Sequence, residues 1–186
     1  MEKQHTCPWW LGYTFILPIR KLKHNPQKLL SEYVKEGMTV MDFGCAMGYF
    51  SIPLAQMVGK SGTVYCVDMQ EKLIRNLVRR ARKYNVEASI KPLLVNSNYH
   101  PEQLKNTLDF ALLFAVVHEV PDKTKLFQNI YAMLKPGAIL YFAEPSGHVS
   151  FENFNESVQI ASKCGFKLYD ITAVSKKLRI ALQKSF

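Results

Sequence analysis

The sequence is short of the features that would mark several large classes of protein. Its 186 residues hold four cysteines, Cys7, Cys45, Cys66 and Cys164, with no C-x-x-C pair. Neither a disulfide framework nor a zinc site is therefore expected. Cys45 and Cys66 fall in apolar stretches, where cysteine packs as a small hydrophobe. No apolar run approaches the roughly 20 residues that span a bilayer. The 9 glycines and 9 prolines are scattered without a period, which excludes collagen-like and low-complexity readings. Hydrophobic residues at 48% and charged residues at 21% exclude wholesale disorder. No small-residue cleavage site follows the opening MEKQHTCPWW, so a secretory leader is not expected and a reducing cytoplasm is the expected location. Acid is the scarcer charge: 15 Asp and Glu against 24 Lys and Arg leave a net charge of +9. That balance favours anionic partners (a nucleic acid, a membrane surface, an acidic small molecule) without choosing among them.

What is present is a regular alternation. Cys7 to Pro18 is an aromatic arm bracketed by prolines, and residues 1–25 are expected to precede a core formed by 26–186 within a single domain. A helix opened by Pro26 is expected to end at Gly37. Thr39 to Gly44 reads as a buried strand, Tyr49 to Val58 as a helix with Pro53 in its first turn, and Thr63 to Asp68 as a second strand. Leu73, Leu77 and Ala81 recur at four-residue spacing and predict an amphipathic helix over Gln70 to Tyr84. Ala88 to Val95 is a third strand, weakened by Pro92. Leu108 to Phe114 is almost continuously apolar, as strands covered on both faces are. A helix over Asp122 to Leu134 is expected to stop at a turn, Leu134 to Gly137, before a strand at Ala138 to Glu144. A helix over Phe151 to Cys164 and strands at Lys167 to Ala173 and Leu178 to Gln183 complete the chain. The fold class is therefore α/β: a Rossmann-like, open, mostly parallel seven-stranded sheet with helices on both faces and the last strand antiparallel. Ligands of such sheets sit outside the carboxyl ends of the strands.

The exit of the first strand reads V-M-D-F-G-C-A-M-G, Val40 to Gly48, with small residues at Gly44, Ala46 and Gly48. Small residues there let backbone approach a ligand at the start of a helix. Asp68 ends the next strand 24 residues after Gly44, where a carboxylate can accept from both hydroxyls of a ribose. A dinucleotide site would instead want G-x-G-x-x-G, which argues against a nicotinamide oxidoreductase.

The pattern D-x-G-x-A-x-G, taken with Asp68, LDFALLF, LKPG before AILYFAE and a final strand pair, resembles class I S-adenosylmethionine-dependent methyltransferases from about Gln27 onward. It is similar to the broad group that includes quinone-biosynthesis and arsenite methyltransferases. The resemblance implies S-adenosylmethionine as cofactor. It implies that Gly44, Cys45, Ala46 and Gly48 line the methionine half with Asp42 near its amino end, that Asp68 holds the ribose, and that Met69 flanks the adenine. Asn96, followed by Ser97, stands where the family often has an acid that accepts from the adenine amino group. Phe114 and Ala115 would border the transferring methyl.

Methyl transfer is an in-line displacement, so the protein must align the nucleophile, exclude water and remove its proton where it carries one. His118 and Glu119, in AVVHEVPD, sit where the family contacts substrate. His118 is either a general base or an orienting histidine bonded to Glu119. No acid-or-Asn-Pro-Pro-aromatic signature stands there, which disfavours amino methylation of nucleobases. In the arm, Cys7, Trp9 and Trp10 either close over an acceptor or pack on the sheet edge. Arg75, Arg79, Arg82 and Lys83, with Lys72 and Arg80 nearby, form a basic helix face that reads as solvated or as a weak membrane-surface or nucleic-acid contact. The expected function is methyl transfer to a small or lipid-like acceptor; an RNA or protein methyltransferase and a non-catalytic cofactor-binding module are the alternatives.

Overall fold

The computed structural model describes residues 24–95, 102–169 and 178–186. The chain divides into two compact units, the break falling between Tyr99 and His100. The arm residues Cys7, Trp9 and Trp10, and Asn96 and Ser97, lie outside the described residues.

The N-terminal unit opens with α1 (Pro26–Leu30), where Asn25 caps the helix by accepting from the Lys28 N–H at 3.3 Å and Pro26 takes the first turn. The helix ends at Leu30 rather than Gly37. Gly37, at φ +81°, instead turns the chain into β1 (Thr39–Phe43), its N–H donating to the Val58 carbonyl at 2.8 Å. From β1 the chain runs through α2 (Ser51–Val58), β2 (Thr63–Asp68), α3 (Glu71–Lys83) and β3 (Ile90–Leu94). α2 begins two residues later than the sequence suggests, so Pro53 falls in its first turn, where no N–H is missed. β1 pairs with β2 and β2 with β3, both parallel, in the registers Thr39↔Thr63 to Phe43↔Val67 and Val64↔Ile90 to Asp68↔Leu94. Parallel pairing needs crossovers, and α2 and α3 supply them. Leu73, Leu77 and Ala81 of α3 are buried as their spacing requires.

In the C-terminal unit β4 (Leu108–Phe114) leads to α4 (Lys123–Met133), capped by Asp122, whose Oδ1 accepts from the Lys125 N–H at 2.8 Å. β5 (Leu134–Ala143) lies parallel to β4. The expected Leu134–Gly137 turn is instead the irregular start of β5. Leu108 pairs with Leu134 and Phe110 with Ile139, so the strand absorbs extra residues around Pro136, which has no N–H to donate, and Gly137 at φ +78°. α5 (Phe151–Lys163) follows, capped by Ser150, then β6 (Phe166–Leu168) and β7 (Arg179–Lys184). β7 is antiparallel to both β5 and β6. Phe127, Phe142, Phe154 and Phe166 fill this core, with Phe142 stacked on Phe154 at 4.8 Å between centroids. The seven strands make one sheet, mostly parallel and flanked by helices. Among the described residues no helix is long and apolar enough to cross a membrane.

Candidate functional site

The N-terminal unit carries a loop built almost wholly by main chain. Between β1 and α2, Gly44, Ala46 and Gly48 take positive φ of +78°, +47° and +79°, alternating with residues of ordinary hand. Glycine adopts that conformation freely and alanine at a cost of roughly 1–2 kcal/mol. Four of the five N–H groups from Gly44 to Gly48 turn inward. Gly44 and Cys45 donate to the Val67 carbonyl at 2.8 and 3.0 Å, Ala46 to Asp68 Oδ2 at 2.9 Å, and Gly48 to the Cys45 carbonyl at 2.9 Å. A phosphate-binding loop spends its N–H groups on the anion; this one spends them on itself.

Asp68, at the end of β2, is the hinge of the arrangement. Its Oδ2 holds Ala46 and its Oδ1 accepts from the Gln70 N–H at 2.9 Å. Burial pushes its carboxyl upward from the ordinary value, opposed by the N–H groups of Gln70, Ala46 and Met69. A carboxylate has about four acceptor sites, so these contacts leave capacity for a ribose hydroxyl. Met69, beside it, is 43% exposed. Asp42 is buried within β1, where its Oδ2 accepts from the Ser51 hydroxyl at 2.5 Å at the start of α2. Gly48 has a further reason to be glycine: a Cβ there would lie 2.2 Å from Leu77 Cδ1. Its small size serves the packing of α3. Arg80, which the sequence groups with a solvated basic face, donates from Nη1 to the Met47 carbonyl and props the loop. Cys45 and Cys66 are buried, and burial pushes both thiols up, away from nucleophilic chemistry.

These residues fit S-adenosylmethionine. A ribose diol suits an acidic acceptor such as Asp68. A cationic sulfonium and ammonium suit a loop whose N–H groups are already bonded and which lies beside two acids.

The C-terminal unit carries a pair of side chains. His118 lies in a single 3₁₀ turn, Val117–Glu119, shortly after β4, which ends at the half-buried Phe114, with Ala115 at φ +58° beyond it. The carboxylate it meets is Glu144, just beyond β5, and the bond to Glu119 that the sequence suggested gives way to it. Glu144 Oε1 accepts from the His118 backbone N–H at 3.0 Å, and Oε2 lies 2.7 Å from His118 Nδ1. The Glu144 side chain is only 2% exposed, and its own N–H donates to the Leu178 carbonyl at 2.8 Å. Glu119 Oε1 stands 3.9 Å from the other ring nitrogen, Nε2. His118 is pushed above its ordinary value, first by the bond to Glu144, then by the charges of Glu144 and Glu119, against burial and Lys123. Ser51, Arg80 and Glu144 were not singled out from sequence. Only Glu144 left a signal, an acid closing an apolar strand as Asp68 does.

Among the described residues no cluster of His, Cys, Asp and Glu could hold a metal ion. Comparison with known proteins bears on the family and the fold. The methyltransferase-domain family profile matches residues 34–179. The ubiquinone/menaquinone biosynthesis C-methyltransferase of Haemophilus ducreyi is 28% identical over 115 residues, 60% of this chain and 44% of that protein. The chain thus spans less than half the length of such curated relatives. A SAM-dependent methyltransferase from Aquifex aeolicus superimposes with a TM-score of 0.83 at 24% identity, covering 96% of this chain and 99% of that one. A SAM-dependent O-methyltransferase from Thermotoga maritima gives 0.66 at 19% identity over 92% and 71% of the two chains. With loop, acid and sheet arranged as described, and with most of its length matched by the profile, the chain belongs to the methyltransferase-domain family, on the class I S-adenosylmethionine-dependent fold.

Proposed function

We propose that this protein transfers the methyl group of S-adenosylmethionine to a small or lipid-like acceptor, and that a ring of the quinone-precursor type is the first acceptor to try. The observation that carries the reading is the bond from Ala46 N–H to Asp68, which ties a loop with inward-turned N–H groups to the carboxylate we assign to the ribose. Asp68 takes the ribose hydroxyls, Gly44, Cys45, Ala46 and Gly48 lie along the methionine half, and Met69 covers one face of the adenine. Asn96 and Ser97 complete the adenine side, and Asp42 steadies the loop's approach through Ser51. Bound there, S-adenosylmethionine supplies an electrophile already activated by its sulfonium charge. Phe114 borders the methyl, and His118 and Glu119 meet the acceptor, His118 taking its proton. Cys7, Trp9 and Trp10 of the arm serve the acceptor as well. The acceptor class follows the curated relatives, whose names specify C-methylation in quinone biosynthesis.

Differential scanning of thermal stability tests the cofactor: S-adenosylhomocysteine should raise Tm and NADH should not, and the reverse result would overturn the reading. Release of homocysteine from an acceptor panel, in a coupled assay, then identifies the substrate. The exposed Lys72, Arg75, Arg79, Arg82 and Lys83 of α3 favour a second reading, an RNA acceptor. Steeply salt-dependent retention on RNA would support it.

A further inference from the structure

We propose that Glu144 is the positioning residue that sets His118 as a general base, and that the acceptor therefore presents a weakly acidic hydroxyl, a phenol or an enol. This rests on the methyl-transfer reading above and gives it a substrate class.

The argument starts from what the two Glu144 oxygens hold. One takes the His118 main-chain N–H and the other lies on Nδ1. A carboxylate only accepts, so in the neutral ring the proton must sit on Nδ1. Nε2 is then left with a lone pair. The main-chain bond fixes where the ring is rooted and the side-chain bond fixes how it is turned, and a side chain 2% exposed has little freedom to do otherwise. A bidentate hold on one residue is more than ordinary core satisfaction requires. The His118 side chain remains 30% exposed, which leaves the ring reachable by a ligand.

Such a base is worth building only for a nucleophile masked by a proton. A phenolic hydroxyl titrates near 10 and is a poor nucleophile while protonated. In the step proposed, the O–H bond breaks and the proton passes to Nε2. The electron pair stays on the acceptor and, on oxygen or on the ring carbon beside it, forms the bond to the methyl carbon. The pair of the broken carbon–sulfur bond leaves with sulfur in the neutral thioether product. On carbon, the ring proton then passes to water as the ring regains its aromaticity, and the imidazolium returns its proton to the phenolate oxygen. No oxidant or reductant is consumed. A thiol, which titrates near 8.5, needs less such help, because a large share of it is already unprotonated near pH 8 to 9.

The groups facing the imidazole are Glu144 from the end of β5, Glu119 from its own turn and Lys123 from α4. The carboxylates hold the ring protonated to a higher pH, and the neutral base appears only above it. The wild-type kcat/KM should therefore rise with pH through a midpoint above the ordinary histidine value and then level.

Glu144→Gln tests this. Glutamine has one acceptor oxygen for two donors, and its amide can donate to Nδ1 and move the proton to Nε2. The plateau kcat should fall about 100-fold, the order that a general base contributes, while the rising limb moves to lower pH and S-adenosylhomocysteine binding is kept. Imidazole nitrogen NMR should show Nδ1 protonated in the wild type and a mixture in the variant. His118→Ala should abolish the limb, and adding Glu144→Gln to it should cost nothing further. A Glu144→Gln enzyme with unchanged plateau and limb, a neutral wild-type ring protonated on Nε2, or faster turnover of a thiol than of catechol and 1,4-hydroquinone would each overturn the proposal. Failure of the wild type to bind S-adenosylhomocysteine would instead strike the methyl-transfer reading itself, and this proposal with it.

Discussion

The two units fix their candidate site residues by different means. In the N-terminal unit, main chain does the holding: three left-handed residues and four inward N–H groups, three of them bonded to main-chain carbonyls and that of Ala46 to an acid. In the C-terminal unit it is done by side chains, a buried glutamate against a histidine whose side chain is 30% exposed. Main-chain geometry tolerates many side chains but no misplaced Cβ. A side-chain pair tolerates changes around it but neither partner's loss. The first suits a ligand common to a whole fold, and the second suits chemistry particular to one acceptor.

The sharpest way to break this contrast is Gly48→Val. The branched side chain would meet Leu77 at a distance no Cβ adopts, in a backbone conformation that disfavours it. Overpacking and strain together cost about 3–4 kcal/mol, enough to lower the urea midpoint steeply and to end S-adenosylhomocysteine binding. If the variant keeps both, the loop is not built as described.

Asp68→Ala comes next. It removes the acceptor of two main-chain N–H groups and the seat proposed for the ribose. Losing two hydrogen bonds to a charged group, at about 1.5 kcal/mol each, corresponds to about 100-fold weaker S-adenosylhomocysteine binding by calorimetry. The fold should survive, because burial already pushes this carboxyl up and its ionised form sits there at a cost. Equal binding by variant and wild type would detach Asp68 from the cofactor.

How much of this was legible follows the same division. The loop was readable because left-handed backbone demands small residues and these stand in the sequence at 44, 46 and 48. The strands and the buried face of α3 were readable from period and apolarity. The partner of His118 was not, because Glu119 was adjacent in sequence while Glu144, 26 positions away, was adjacent only once β5 had formed. Arg80 was hidden inside a run of like charges, where spacing cannot tell the one residue that turns inward. The LKPG segment misled because proline and glycine punctuate turns and irregular strand starts alike.

A smaller effect separates the units by pH. His118 has a folded value raised above its unfolded one. Its contribution to stability is therefore complete below the ordinary histidine value and lost as pH rises through the folded one. Urea midpoints of wild type and His118→Asn should diverge less at pH 9 than at pH 5.5. The N-terminal unit has the same sign at Asp68 but in the lower, carboxylate window: its raised carboxyl makes the unit less stable as pH rises through the folded value. Parallel midpoints for the two proteins across that range would mean that the Glu144 bond contributes nothing as an ion pair.

The smallest expected effect tests whether burial rather than distance gives the His118–Glu144 pair its worth. Lys135 Nζ lies 2.6 Å from Asp109 Oδ1, as close as Glu144 is to His118, but the side chains are 46% and 24% exposed. Solvent screens such a pair and its lysine gives up rotamer freedom to make it, so Asp109→Asn should cost about 0.2–1 kcal/mol, less in high salt. It should leave the pH profile of turnover where it was. A loss as large as that from Glu144→Gln would show that proximity alone sets the strength of both pairs, and the contrast between a solvated ion pair and a buried one would fall.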